Sequence, residues 1–128
     1  QQCMVISRLI ELTGIPTEIV IVPTIREKNG LAMSSRNQRL SPEQRQQAAA
    51  IFASLKKIQA DLAPGNLIPL KQNAIRELTS LGFRVDYVEI AGASDLEITD
   101  FWDGSKKLIA LAAAYLGDVR LIDNLILE

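Results

Sequence analysis

Histidine is absent from this sequence, and cysteine occurs once, as Cys3, in 128 residues. The first absence removes Ser-His-Asp and Cys-His catalysis, histidine acid-base steps and most zinc sites. The second excludes an internal disulfide framework and fits a reducing, cytoplasmic setting, with Cys3 expected as core filler. No apolar run approaches the roughly 18 residues that a membrane-spanning helix needs, so no membrane partner is expected. Nothing at the start resembles a targeting signal either. The chain starts at Gln1 with no charged-then-apolar stretch behind it, and is therefore expected to begin inside a longer protein. Excess charge is also lacking: a formal charge of −1 offers no whole-domain grip on nucleic acid, which is excluded as a partner.

What is present suits a folded domain, or a domain plus part of another, with 48% hydrophobic and 23% charged residues. Charge is distributed unevenly. Between Arg26 and Arg45, five bases (Arg26, Lys28, Arg36, Arg39, Arg45) face two acids (Glu27, Glu43), a local balance of +3. That concentration suits a small anion better than a polymer.

Apolar spacing predicts the elements. Cys3 to Leu12 reads as a helix closed by Gly14, and the β-branched run Thr17–Val22, stopped by Pro23, reads as a strand buried in a parallel sheet. Ligands gather beyond the carboxyl ends of such strands, which places residues 23–37 where a site is expected. Ser41, Pro42 and Gln44 form a helix start with a capping box, and the helix is expected to run to about Leu62 with Ala48, Ile51, Phe52, Leu55, Ile58 and Leu62 on its apolar face. A further helix is predicted over Leu70–Leu81 and a strand over Arg84–Ile90. The alanines of Lys107–Leu116 favour a helix, while Gly117-Asp118 between two apolar runs favours a hairpin; the hairpin is the expectation. The fold class is therefore α/β, ending in two helices packed on a short antiparallel sheet. Trp102 is read as a hydrophobic plug, and Leu31 and Met33 as core anchors.

Gly30-Leu-Ala-Met-Ser-Ser-Arg-Asn37 puts a glycine, two hydroxyls and a guanidinium in succession. Gly30 lets backbone amides approach a ligand, Ser34 and Ser35 add rotatable donors, and Arg36 carries a permanent charge on a fork that matches phosphate oxygens. The same residues also make ordinary polar turns, and residue types alone do not separate the readings. Arg39 and Arg45 are expected to be exposed or paired with Glu43.

The run Val22-Pro-Thr-Ile-Arg-Glu-Lys-Asn-Gly-Leu-Ala-Met-Ser-Ser-Arg-Asn37, followed by Leu40-Ser-Pro-Glu43, closely resembles the signature of the pantothenate synthetase family, the AMP-forming pantoate-β-alanine ligases. Tyr87-Val-Glu-Ile90 and Arg120-Leu-Ile-Asp-Asn124 are similar to that family's C-terminal strands, and Gln1-Gln2 to the tail of its Gly-x-Lys-Asp-x-x-Gln motif. The resemblance implies that residues 1–37 end a Rossmann-like nucleotide-binding domain containing the ATP loop, and that residues 38–128 form an α+β lid. It implies ATP binding by Ile25 (through its backbone), Met33, Ser34, Ser35 and Arg36, where related transferases carry Lys-Met-Ser-Lys-Ser. Gln2 is placed on pantoate, and Arg36 on the leaving pyrophosphate beside Mg²⁺. The implied substrates are pantoate and β-alanine, joined through a pantoyl adenylate, in a full-length protein that forms a homodimer. The family's His-x-Gly-His and Gly-x-Lys-Asp motifs have no counterpart here, so the chain is expected to need an N-terminal domain and to be inactive alone. An alternative from another class is a stand-alone α+β interaction module with a basic anion-binding loop and no catalysis.

Overall fold

A computed structural model describes residues 2–127; Gln1 lies outside the described residues. Helix α1 (Gln2–Thr13) forms as its spacing predicts, and Gly14 closes it by donating its N–H to the Ile10 carbonyl at 3.0 Å. None of its residues is buried, and Cys3 is exposed. The core-filler expectation for Cys3 is thus corrected: among the described residues no layer packs over that side of the helix. The strand expected over Thr17–Val22 is corrected as well. Residues 15–25 carry no regular structure, and Val20, Ile21 and Val22 are 77%, 61% and 79% exposed. A β-branched run becomes a strand only when a neighbour satisfies its backbone, and none lies beside it among the described residues.

The capping box forms as the sequence indicates. Ser41 Oγ accepts the Gln44 N–H at 3.2 Å, and the Gln44 side chain accepts the Ser41 N–H at 2.9 Å. The single helix expected to follow is two, α2 (Pro42–Ala48) and α3 (Ala50–Ala60), because the Ala49 N–H turns back to the Gln46 carbonyl, three residues behind, and tightens one turn. Ala48, Ile51, Leu55 and Ile58 are buried on the expected face.

Helix α4 (Ile68–Ser80) starts two residues earlier than the spacing suggests, since Asn66 Oδ1 accepts the Ile68 N–H at 2.9 Å. It ends in a Schellman arrangement: the Phe83 N–H reaches the Leu78 carbonyl and the Gly82 N–H the Thr79 carbonyl, with Phe83 and Leu78 both buried. A two-residue strand β1 (Gly65–Asn66) pairs antiparallel with β3 (Phe101–Trp102). Trp102 packs against the core as a plug and donates Nε1–H to the Lys106 carbonyl at 2.8 Å.

The main sheet has the order β2 (Arg84–Gly92), β4 (Leu108–Leu116), β5 (Val119–Leu127), all antiparallel. β4 and β5 form the expected hairpin around Gly117-Asp118, with Leu116 opposite Val119 and Gly117 at φ +58, where a tight hairpin turn calls for glycine. The alanines of β4 have a structural reason. The strand is central and nearly every residue is buried: Leu108, Ala110, Ala112, Ala114 and Leu116 face the core under α3 and α4, while Ile109 and Leu111 face a second cluster with Ala91, Tyr87 and Leu96. Small side chains let layers close on both faces, and this packing overrides the helical preference of alanine. Buried Lys71 on α4 is held by Glu89 at 2.8 Å and Asp100 at 2.5 Å. Among the described residues, no helix is long and apolar enough to cross a membrane.

Candidate functional site

The segment from Ile25 to Leu40 folds into a closed loop on the rim of the sheet. Arg26 and Ala32 form an antiparallel bridge, the Met33 N–H donates to the Ile25 carbonyl at 2.9 Å, and the Glu27 N–H to the Leu31 carbonyl at 2.8 Å. Gly30, at φ +93, makes the reversal, and it faces Phe52 of α3 closely enough that a Cβ there would lie 2.7 Å from the ring. Leu31 is buried as an anchor, whereas Met33 is 61% exposed, which corrects its expected place in the core. Ser34 then opens a 3-10 turn, Ser35–Arg39, its Oγ accepting the Arg36 N–H at 3.2 Å.

The turn is held from below. Asn37, 3% exposed, donates its side-chain amide to the Ala32 carbonyl at 2.9 Å and to Glu27 Oε1 at 3.4 Å. Glu27 also receives Arg45 from α2 at 2.7 Å, and this guanidinium, assisted by the Asn37 amide, holds the Glu27 carboxyl below its ordinary range against a cost of desolvation. Arg45 therefore pairs with Glu27 rather than Glu43, which instead accepts the Ser41 hydroxyl at 2.8 Å.

Arg26 is the main strut. Its guanidinium makes a bidentate pair with Asp123 of β5 at 2.6 and 3.0 Å, donates to the carbonyls of Gly30 and Asn124 at 3.1 and 3.3 Å, and lies 3.7 Å from the centroid of the Phe52 ring. Asp123 occupies the core-facing row of β5, between Leu121 and Leu125, with its side chain 5% exposed. Asp123, like Asn37, escaped the reading of the sequence. Its signal was an acid at an inward position of an alternating strand, which demands a cationic partner.

With Arg26 and Arg45 occupied, Lys28, Arg36 and Arg39 are the bases of this region without an ion pair among the described residues. Met33, Ser34, Ser35 and Arg36 lie together on the exposed side of the turn, with Ile25 beside Met33. Gln2 is exposed at the start of α1, and no hydrogen bond among the described residues joins it to this stretch. A cavity of about 50 Å³, lined by Ser34, Arg36, Asn37, Arg120 and Asp123 among others, runs beneath the turn. It holds a water or two and no nucleotide, so the turn is one wall of any larger site. No group of three or more Asp, Glu, Cys or His among the described residues is placed to hold a metal ion.

Helices on an antiparallel sheet, with a basic serine-arginine turn strapped to the rim, define an α/β domain. Residues 1–126 match the family Pantoate-beta-alanine ligase, and the chain belongs to that family. It is 46% identical over 129 aligned positions to the pantothenate synthetase of Shewanella loihica, covering 100% of this chain and 45% of that protein. With the pantothenate synthetase of Neisseria meningitidis serogroup C it shares 47% identity over 127 positions, covering 98% and 45%. The crystal structure of pantothenate synthetase from Thermus thermophilus superposes with a TM-score of 0.81 at 34% identity, over 97% of this chain and 45% of that one. A Francisella tularensis pantoate-β-alanine ligase complexed with β,γ ATP and β-alanine superposes with a TM-score of 0.67 at 26% identity, over 98% and 39%. The chain thus spans less than half the length of the relatives it matches.

Proposed function

We propose that this chain is the C-terminal part of a pantothenate synthetase, contributing the ATP loop and the α+β domain that covers the nucleotide. The observation that carries the reading is the division of labour among the arginines: Arg26 and Arg45 are consumed in fastening the loop, while Arg36 stands on its exposed side, unpaired among the described residues, next to the Ser34 and Ser35 hydroxyls. A guanidinium and two hydroxyls on a fastened turn suit the phosphates of ATP.

In this reaction a pantoate carboxylate oxygen attacks the α-phosphorus of ATP, the bond to the bridging oxygen of pyrophosphate breaks, and β-alanine then displaces AMP to form the amide. Negative charge grows on the leaving pyrophosphate. Arg36 and the serines stabilise that charge as preorganised donors, and they take up no proton. Mg²⁺ would share with Arg36 the task of neutralising the charge that grows on the pyrophosphate. The Ile25 backbone meets the adenine, Met33 belongs to the ATP-binding stretch with the serines and Arg36, and Gln2 belongs to the pantoate side, completed by the N-terminal domain that the relatives' length implies. The same proposal makes the isolated chain inactive and sets the full-length protein in the cytoplasm.

The test is Arg36→Ala in the full-length protein. Pyrophosphate release in the first turnover is expected to slow by about a hundredfold, a barrier change of about 3 kcal/mol, with the melting temperature unchanged because the Arg36 side chain is exposed and makes no ion pair among the described residues. An unaltered burst rate removes Arg36 from the mechanism. The stand-alone module would be favoured by a parent reading frame without upstream His-x-Gly-His and Gly-x-Lys-Asp motifs.

A further inference from the structure

Asn37 is more deeply buried than any of its neighbours in the Met33–Arg36 stretch, and it makes three donations at once. The side-chain NH₂ group spends both protons, one on the Ala32 carbonyl and one on Glu27 Oε1, while the backbone N–H bonds the Ser34 carbonyl at 3.0 Å. Those bonds connect the segment entering the turn, the ion pair reaching α2 and the first residue of the turn. Both side-chain donors being committed, the orientation of the amide is fixed. Among the described residues its buried Oδ1 has no hydrogen-bond partner, and Asn37 lines the same cavity as Ser34 and Arg36.

Resting on the ATP-loop reading above, we propose that Asn37 is a positioning residue that sets the pitch of Ser34–Arg36 toward the phosphates. It lies under the turn and touches no substrate. Asparagine fits where other polar residues do not. Aspartate would set a carboxylate against Glu27 and the Ala32 carbonyl, and serine is too short to span both. The Glu27–Arg45 pair transmits the same constraint to α2, so the turn is indexed to a helix that holds its own place through a capping box.

The experiment compares full-length wild type, Arg36→Ala, Asn37→Ala, Asn37→Asp and the double variant Asn37→Asp/Glu27→Gln, each by steady-state kinetics with ATP and with β-alanine varied and by thermal melting. Asn37→Ala is expected to raise KM for ATP, or lower kcat/KM for ATP, by about tenfold, the effect of one buried hydrogen bond, while KM for β-alanine stays within twofold. Asn37→Asp should be worse than Asn37→Ala. The double variant should recover part of that loss, because the glutamine amide can donate to the new carboxylate, and being isosteric it answers the question even if Asn37→Ala does not fold. If Arg36→Ala impairs ATP use and neither Asn37→Ala nor the Asn37→Asp pair does, the positioning role is overturned and the ATP loop stands. If Arg36→Ala and the Asn37 variants are all like wild type, both fall. A change in KM for β-alanine equal to that for ATP would mark Asn37 as merely structural and also overturn the proposal.

Discussion

Replacing Gly30 by alanine should destabilise this protein by about 3 kcal/mol, and the reasons are separable. The residue sits at φ +93, a conformation L side chains rarely adopt; holding alanine there costs about 1–2 kcal/mol. An added Cβ would also lie 2.7 Å from Phe52 Cδ1 and 3.4 Å from Cε1. The ring cannot simply retreat, because the Arg26 guanidinium rests 3.7 Å from its centroid and that same guanidinium is tied to Gly30 O and Asp123. Overpacking of this kind adds about 1–3 kcal/mol. Urea unfolding and thermal melts should show the loss, a drop of roughly 10 °C for a chain this size. The components separate in a cycle with Phe52→Leu: with the ring gone the steric part vanishes, so the double variant should be about 1–2 kcal/mol more stable than the sum of the singles predicts. A Gly30→Ala protein within about 0.5 kcal/mol of wild type, or an additive cycle, would refute the packing argument.

Three further outcomes follow from the same geometry. Asp123→Ala leaves the Arg26 guanidinium buried without its carboxylate and should cost about 3 kcal/mol in urea unfolding, much of it restored by adding Arg26→Met. Ser41→Ala removes one arm of the capping box and should cost about 1 kcal/mol by the same measurement. Burial opposes the charge on Lys71, but Asp100 and Glu89 outweigh it and hold its pKa above the ordinary 10.5. Its contribution is therefore fully present below that value and lost as pH climbs through the raised one, so the urea midpoint should fall at alkaline pH, and fall less in Lys71→Met.

How legible the fold was depended on where its determinants lie. Ser41 to Gln44 carry their own instructions, since a cap is a contact between neighbours, and the capping box appears as the sequence indicates. The hairpin around Gly117-Asp118 was decided by two residues against the alanine run, correctly, because burial of β4 on both faces outweighs propensity. Thr17–Val22 misled for the converse reason: its β-branched residues state a need for neighbouring strands but cannot supply them. At the site, the exposed serines and Arg36 were conspicuous, while their supports were not. Arg26 looked like one more positive charge until Asp123, in another element, claimed it, and Asn37 looked like ordinary turn polarity until the structure showed it buried.

The Arg26–Asp123 pair also imposes an order of events. Its partners are 97 residues apart in sequence, so at a synthesis rate of about 5–20 residues per second the loop waits roughly 5–20 s for the carboxylate that fastens it. During that interval α2, α3 and α4 can form from local signals, but the segment bearing Arg36 has no anchor on the sheet. The strand of this sheet that is made after the other two is the one that fastens the loop, so the turn bearing Arg36 gains its anchor only when β5 pairs with β4.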